Sequence, residues 1–198
     1  MNIKIWMSLA LLFVLSSKAS AQILTPSLSL IYFKEGSRRA IESTPQTNDS
    51  VKSQNVYTFV NLGVCYNLSG ICLGLKYLQG EIESKSTLPG SSGTSKTVYT
   101  APGLTVGYSG AEGIVAHASW LLGAKKTIEG KSTTYFAKSA WIAELGYGFK
   151  VSSVRIGPLL GIYNFKFNKR DVAGVKTDLR PNEQDDFILP QVALWVDL

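Results

Sequence analysis

The amino-acid sequence predicts an all-β fold, an eight-stranded antiparallel up-and-down transmembrane β-barrel, from three observations. Apolar side chains alternate with small or polar ones along eight segments. The connections between these segments are alternately long and short, as in transmembrane barrels. Most charged side chains fall in the long connections, which are residues 35–54, 79–97, 125–138 and 166–186. The small or polar set is poor in Lys and Glu, so we expect it inside a narrow ring and the apolar set towards lipid.

Residues 1–21 are predicted to be a secretory signal peptide, which leaves residues 22–198 as a single domain. Lys4 precedes an apolar run from Ile5 to Leu15, and Ala19-Ser20-Ala21 form an A-x-A cleavage site. The alternative is a single-pass anchor, but a spanning helix needs ~20 apolar residues and this run is shorter. The chain of 198 residues has 20 basic and 14 acidic side chains, a mild excess that does not suggest a nucleic-acid partner.

Strand one is predicted over residues 22–34, and strands two and three form a hairpin over residues 55–77, with strand three continuing towards Glu83. In this hairpin every second side chain is apolar except Thr58, from Val56 to Tyr66 and from Ile71 to Tyr77. A two-residue turn at Leu68-Ser69 is predicted to connect the two strands. This turn would set Asn67 opposite Gly70, Tyr66 opposite Ile71 and Cys65 opposite Cys72.

Cys65 and Cys72 are the two cysteines of the chain, and both fall on the polar set. In an exported protein, a pair of cysteines suggests a disulfide. The alternative is two free thiols, because a hydrogen-bonded cross-strand pair is not the most favourable geometry for a bridge.

The remaining strands follow the same alternation, with short turns near residues 109–113 and 151–153. They are predicted over residues 97–108, 114–124, 135–149, 154–167 and from residue 186 to the C-terminus. Pro26, Pro102, Pro158 and Pro190 interrupt these strands on the outward set. Because proline has no N–H for the ladder, we expect bulges or ladder breaks at these positions.

Three charged side chains within predicted strands fall on the inward set: Lys76, Glu144 and Arg155. A charge facing lipid at mid-membrane costs roughly 2 to 4 kcal/mol, so the inward placement supports the assignment of faces. Their expected role is a structural ion network, because an eight-stranded barrel is just wide enough for its own side chains. A gate or a binding site in the lumen is the alternative.

The third long connection carries a local excess of positive charge. Lys125, Lys126, Lys131 and Lys138 stand there against Glu129. If this tip faces outward, its lysines form a possible anion-binding loop for phosphates of lipopolysaccharide or for an anionic host polymer. An ordinary solvated loop is the alternative.

Short motifs at the ends of several strands resemble those of small eight-stranded outer-membrane proteins, the OmpA-like and OmpX-like barrels of the outer membrane protein β-barrel domain group. The segments concerned are residues 143–150, with Gly146-Tyr147-Gly148-Phe149, and residues 103–108. Gln191, Ala193, Val196 and Leu198 resemble the C-terminal signal read by the barrel-insertion machinery, although that family usually has Gly for Ala193 and an aromatic residue for Leu198. The resemblance implies the outer membrane of a Gram-negative bacterium and names no activity.

His117 and Ser119 are the only pair that suggests catalysis, because they resemble part of the His, Ser and Glu site of the outer-membrane barrel that deacylates lipid A. Alternation places both on the inward set near a short turn. An enzyme acting on outer-leaflet lipid needs its site at the opposite rim, so we expect no catalysis. No metal-ligand cluster, phosphate loop or nucleotide motif is present, and no cofactor is predicted.

The predicted function is therefore that of an integral outer-membrane protein with a structural or surface-interaction role through its extracellular loops. The expected partners are outer-membrane lipid and lipopolysaccharide, the barrel-insertion machinery, and an extracellular ligand or host surface. One alternative is a narrow, porin-like channel for small or hydrophobic solutes, and another is a lipid A-modifying enzyme. The competing architecture is a soluble periplasmic barrel or sandwich with its apolar set inside.

Overall fold

The computed structural model describes residues 24–40, 50–88, 91–110 and 112–197, and the predicted signal peptide lies outside this part of the chain. The described residues form β-strands with short connections. The strands are β1 Leu24–Ala40, β2 Ser50–Leu68, β3 Ile71–Leu88, β4 Ser91–Ser109, β5 Ile114–Leu121, β6 Lys125–Ile128, β7 Thr133–Tyr147, β8 Phe149–Val151, β9 Val154–Val172 and β10 Val175–Val196. Within these residues no helix is long and apolar enough to cross a membrane.

The ten strands form one antiparallel sheet that closes on itself. Strands β1 to β4 pair in sequence, β9 pairs with β10, and β10 pairs back to β1. Strands β5 and β6 share the position beside β4, and β7 and β8 share the position beside β9. The sheet is therefore a closed ring with eight positions, which confirms the predicted number and the antiparallel order.

The apolar set of side chains faces outward around this ring. On β3, Leu73 and Leu75 are 57% and 60% exposed, whereas Cys72 before them and Lys76 after them are buried. On β5, Trp120 is exposed and Ser119 is buried. The predicted faces are thus observed, and the competing arrangement with the apolar set inside is not.

The turn of the first hairpin differs from the prediction by one residue. Its central residues are Ser69 and Gly70, so Leu68 pairs with Ile71 and Cys65 pairs with Gly74. Both turn residues have positive φ angles, 50° and 90°. A type I′ turn requires positive φ at both central positions and favours Gly at the second, which explains the shift. The partners move by two residues, so every side chain keeps its face.

Several strands continue through regions that were predicted to be loops. Strands β3 and β4 remain paired up to Leu88 and Ser91, and β9 and β10 are paired again beside their turn at Val172 and Val175. The predicted loop 35–54 is strand at both ends, and its residues 41–49 lie outside the described part. We call this side of the ring the hairpin end. The opposite side, with the short turns after β2, β4 and β8, is the turn end.

The four prolines lie where the ladder stops, as expected. Pro26 and Pro190 flank the pairing of β1 with β10, which covers only four residues of each strand. Pro102 faces the interruption between β5 and β6, and Pro158 faces the one between β7 and β8. A residue without an N–H is therefore placed where no ladder bond is made.

Two irregularities reverse the alternation near the hairpin end. The register between β7 and β9 shifts around residues 136–139, and residues 122–124 separate β5 from β6. As a result Tyr135 packs against the interior and Lys138 is exposed, although regular alternation from Trp141 would place Tyr135 outside and Lys138 inside. Lys126, predicted on a surface loop, is buried inside the ring.

Candidate functional site

A buried ion pair lies in the half of the interior nearer the turn end. Lys76 on β3 and Glu144 on β7 form this pair, with side chains 5% and 2% exposed. The Nδ1 atom of His117 on β5 lies 3.9 Å from the Glu144 carboxylate. Lys76 and Glu144 are thus brought together as predicted for an ion network.

Glycines flank this pair in the sheet. The two residues beside Lys76 are Gly63 on β2 and Gly103 on β4, and Gly161 on β9 lies beside Glu144. An added Cβ at these three positions would lie too close to Ser27 Oγ, to Leu121 and to the Gln191 side chain respectively. The glycines therefore leave room for the side chains that pack around the ion pair.

An amide network continues the polar half towards the seam between β1 and β10. The Asn61 side-chain nitrogen lies 3.0 Å from Ser29 Oγ, 2.7 Å from Tyr163 Oη and 3.1 Å from Gln191 Oε1. Gln191 in turn donates to the Tyr163 hydroxyl over 2.6 Å. We call Asn61, Lys76, His117, Glu144 and Gln191 together the polar layer. With Ser29 and Tyr163 included, these side chains come from seven of the eight ring positions.

Arg155 lies closer to the turn end and does not join Lys76 and Glu144. Its Nε and Nη2 atoms donate to Asp197 Oδ1 over 3.1 and 2.7 Å. It also donates to Ser109 Oγ over 3.0 Å and to the Gly110 carbonyl over 3.1 Å. The predicted three-residue network is therefore wrong in this respect, and sequence reasoning missed Asp197 as the partner. Arg155 is 2% exposed and closes the turn end of the interior.

His117 and Ser119 both face the interior, as alternation predicted, but they do not form a hydrogen-bonded pair. Ser119 Oγ lies 2.8 Å from Thr105 Oγ1 on the neighbouring strand. The nearest charged partner of His117 is Glu144, and its Nε2 atom has no protein partner among the described residues. The hydroxyl of Ser119 is therefore not positioned by His117 as a nucleophile would be by its base.

Cys65 and Cys72 form a disulfide on the interior face, with Cα atoms 5.3 Å apart. They are diagonal neighbours rather than directly opposed, because of the turn at Ser69 and Gly70. Their sulfur atoms and a ring nitrogen of His117 lie within 4.8 Å of one another. Thiolates are the metal-binding form of cysteine, so the bridged sulfurs do not supply that donor set.

Aromatic rings fill the half of the interior nearer the hairpin end. Their members, which we call the aromatic layer, are Phe59, Tyr99, Tyr163, Phe165, Phe167 and Phe187. Ring centroids within this layer are 5.2 to 6.3 Å apart in tilted, edge or stacked geometries. Phe165 and Phe167, at the end of the predicted strand 154–167, are both buried in this layer.

Lys126 closes the aromatic layer at the hairpin end. Its ammonium group pairs with Glu183 and lies 2.9 Å from Asp185. It also stands 4.6 Å from the centroid of Tyr135 and 4.7 Å from that of Phe167. Its charge is thus balanced inside the ring, which removes Lys126 from the predicted anion-binding loop.

The other three lysines of that predicted loop, Lys125, Lys131 and Lys138, are exposed. Lys125 stands 5.8 Å from the centroid of Phe136. The same ring is approached by Lys176 of β10, at 5.4 Å. Sequence reasoning missed Lys176, since only the pairing of β7, β9 and β10 brings it next to Lys125.

Lysines on the β3–β4 hairpin are paired instead. Lys96 lies 3.1 Å from Glu81 and 3.6 Å from Glu129, and Lys85 lies 3.0 Å from Glu83. The hydrogen bond to Glu81 and the nearby charge of Glu129 raise the pKa of Lys96 above its usual value. Both lysines lie beyond Tyr77, the last large apolar side chain of β3 that is exposed on the outside of the ring.

No family model, curated protein or solved structure matches the chain. The resemblance of its strand-end motifs to small outer-membrane barrels therefore stays a prediction.

Proposed function

We propose that this chain is an integral outer-membrane β-barrel protein, of the kind its strand-end motifs resemble, with a structural or surface-interaction role and no catalysis. The hairpin end would face outward from the cell and the turn end would face the periplasm. The four long hairpins would then carry the interaction, and the ring would serve as their anchor in the lipid.

A continuous apolar band on the outside of the ring is the observation that carries this proposal. Each ring position contributes at least one large apolar side chain that is 41 to 62% exposed, and these include Leu28, Leu62, Leu73, Leu104, Trp120, Leu145, Leu160 and Val192. Lys76, Glu144 and Arg155 are buried on the other face. Apolar side chains outside and charged ones inside suit a ring surrounded by lipid.

The long hairpins support a surface role. A strand crosses the hydrocarbon core with ~9–11 residues, whereas the six long strands have 17 to 22 residues. The additional residues lie at the hairpin end and are mostly Ser, Thr and charged side chains. A channel is less well supported, because the polar layer, the aromatic layer and Lys126 occupy the described interior. We expect no single-channel current in planar bilayers.

The first test is the electrophoretic mobility of the detergent-folded mature protein with and without boiling, combined with circular dichroism. We expect a β-rich spectrum and a band that shifts on boiling. A protein that is soluble without detergent and whose band never shifts would overturn the proposal.

The second test is the direction of the ring in intact cells. Ser86→Cys on β3 and Thr94→Cys on β4 should react with a membrane-impermeant maleimide, and Ser152→Cys at the turn end should not. The native cysteines are bridged and supply no background label. Labelling of position 152 alone would reverse the proposed direction, and labelling of none of the three would exclude a surface role for the hairpins.

A further inference from the structure

Five exposed lysines stand together on the outer wall formed by β6, β7, β9 and β10. We call them the lysine wall, and they comprise Lys125, Lys138, Lys166, Lys169 and Lys176. The ammonium groups of Lys125 and Lys176 lie 5.8 and 5.4 Å from the centroid of Phe136. Lys169 is directly opposite Phe136 across the ladder, and directly opposed residues share a face.

The charges of the lysine wall are unpaired, unlike those of the lysines on the β3–β4 hairpin. Within the described residues, none of its five ammonium groups has a carboxylate oxygen within ion-pair distance. Lys85 and Lys96 on the β3–β4 hairpin are both paired. The same outer wall also carries three carboxylates, those of Asp171, Asp178 and Asp186. They are fewer than the five lysines, so a positive excess remains. Asp186 already accepts hydrogen bonds from Asn164 and Gln184.

The lysine wall begins directly beyond the apolar band. On β9, Ile162 is 40% exposed and belongs to the band, and Lys166 follows four residues later. Four residues of strand cover ~13 Å, and a strand tilt near 40° reduces this to roughly 10 Å of height. The polar headgroup region next to the hydrocarbon is of similar depth. Lysine side chains are also long enough to bend back towards that boundary.

We infer that the lysine wall binds the phosphate groups of a phosphorylated glycolipid, of the lipid A type, in the leaflet that surrounds the hairpin end. This inference rests on the proposed membrane location. Unpaired ammonium groups suit phosphate oxygens, and Phe136 offers an apolar contact between them. A lipid headgroup is favoured over a soluble polyanion because the lysine wall begins at the border of the apolar band, with Lys166 on β9 and with Lys125 three residues after the exposed Leu122.

The test uses the folded mature protein in detergent micelles, with lipid A that carries both phosphates and with its dephosphorylated form as probes. The test variant is Lys125→Gln/Lys169→Gln/Lys176→Gln. The control variant, Lys85→Gln/Lys96→Gln/Lys150→Gln, removes the same charge from other exposed positions. Bound lipid is counted by native mass spectrometry over a range of lipid concentrations.

The wild-type and control proteins should bind the phosphorylated lipid equally and prefer it over the dephosphorylated one. The test variant should bind it roughly 100-fold more weakly, since each lysine near a charged surface contributes about a factor of five. Lys125→Arg/Lys169→Arg/Lys176→Arg should restore binding. Equal binding by test and control variants, or no preference for phosphate, would overturn the inference. Tighter binding of soluble polyphosphate than of lipid A would also overturn it. Each protein must first show the heat-modifiable band. A protein that does not fold as a barrel is thereby distinguished from a folded protein that does not bind lipid A.

Discussion

The two halves of the ring interior are filled in different ways, although the same eight positions line both. In the polar layer, long side chains such as Lys76 and Glu144 meet across the interior beside glycines. In the aromatic layer, rings 5.2 to 6.3 Å apart fill the space, and one charge, Lys126, closes the end.

This difference shows how such a ring can select one register. Within the apolar band the outer face is uniform, so it contributes little to the choice between pairings that differ by two residues. A buried ion pair between strands three positions apart is directional, and it is lost when either strand slips. The aromatic layer supplies contact area that depends less on direction. We therefore expect the polar layer to determine register and the aromatic layer to contribute packing.

The largest expected effect is that of Glu144→Leu, which leaves the Lys76 ammonium buried without its partner. Breaking a buried ion pair in this way costs roughly 3–5 kcal/mol of unfolding free energy. The measurement is urea unfolding in lipid vesicles, followed by tryptophan fluorescence. The matched control is Lys76→Met/Glu144→Leu, which removes both charges and should regain most of the loss. A cost below about 1 kcal/mol for Glu144→Leu alone would show that the polar layer does not determine the register.

A smaller effect is expected for Phe59→Ala in the aromatic layer. Phe59 is fully buried and contacts the rings of Tyr99, Tyr163 and Phe187. Removing the ring leaves a cavity that costs about 3 kcal/mol. If the aromatic layer acts by packing, hydrogen exchange at the ladder amides should keep its native pattern. A changed pattern of protected amides would mean that this layer also determines the register.

The fold was largely predictable from the sequence, because alternation survives wherever one face is apolar. Lys76, Glu144 and Arg155 were placed inside on this basis, and all three are buried. The prediction failed beyond the apolar band, where both faces of a strand are polar and alternation carries no signal. Residues 79–97 and 166–186 are therefore predicted as long connections, although most of them lie in paired β-strands.

The site was less predictable, because its details depend on single-residue irregularities and on closure of the ring. One extra residue in a strand reverses the direction of every side chain after it. Such irregularities turn Lys126 and Tyr135 towards the interior, where the regular pattern does not place them. Arg155 forms its ion pair with Asp197 only because the last strand returns to the turn end. The two residues are 42 positions apart, so no local pattern in the sequence predicts that they are in contact.

Removal of the disulfide at the turn end is expected to lower the unfolding free energy by an intermediate amount. Cys65→Ser/Cys72→Ser removes a cross-link with a sequence separation of 7, and a closed loop this short contributes about 2 kcal/mol in the chain-entropy model. Reduction of the wild-type protein should lower its stability to that of the variant, and the variant should not respond to reductant. A larger loss would mean that the bridge supports the neighbouring polar layer directly.

The smallest effect we expect is that of Gly80→Ala, and it tests the packing of the aromatic layer by a double-mutant cycle. Gly80 lies directly opposite Phe59, and an added Cβ would lie too close to the Phe59 ring. Overpacking of this kind costs about 1 kcal/mol or slightly more. In the Phe59→Ala background the ring is gone, so the same substitution should be neutral or stabilising, because alanine loses less backbone entropy than glycine. Unfolding of the four proteins in vesicles measures the coupling. If the costs of the two substitutions are additive, the Phe59 ring does not pack against Gly80, and the aromatic layer is packed loosely at this point.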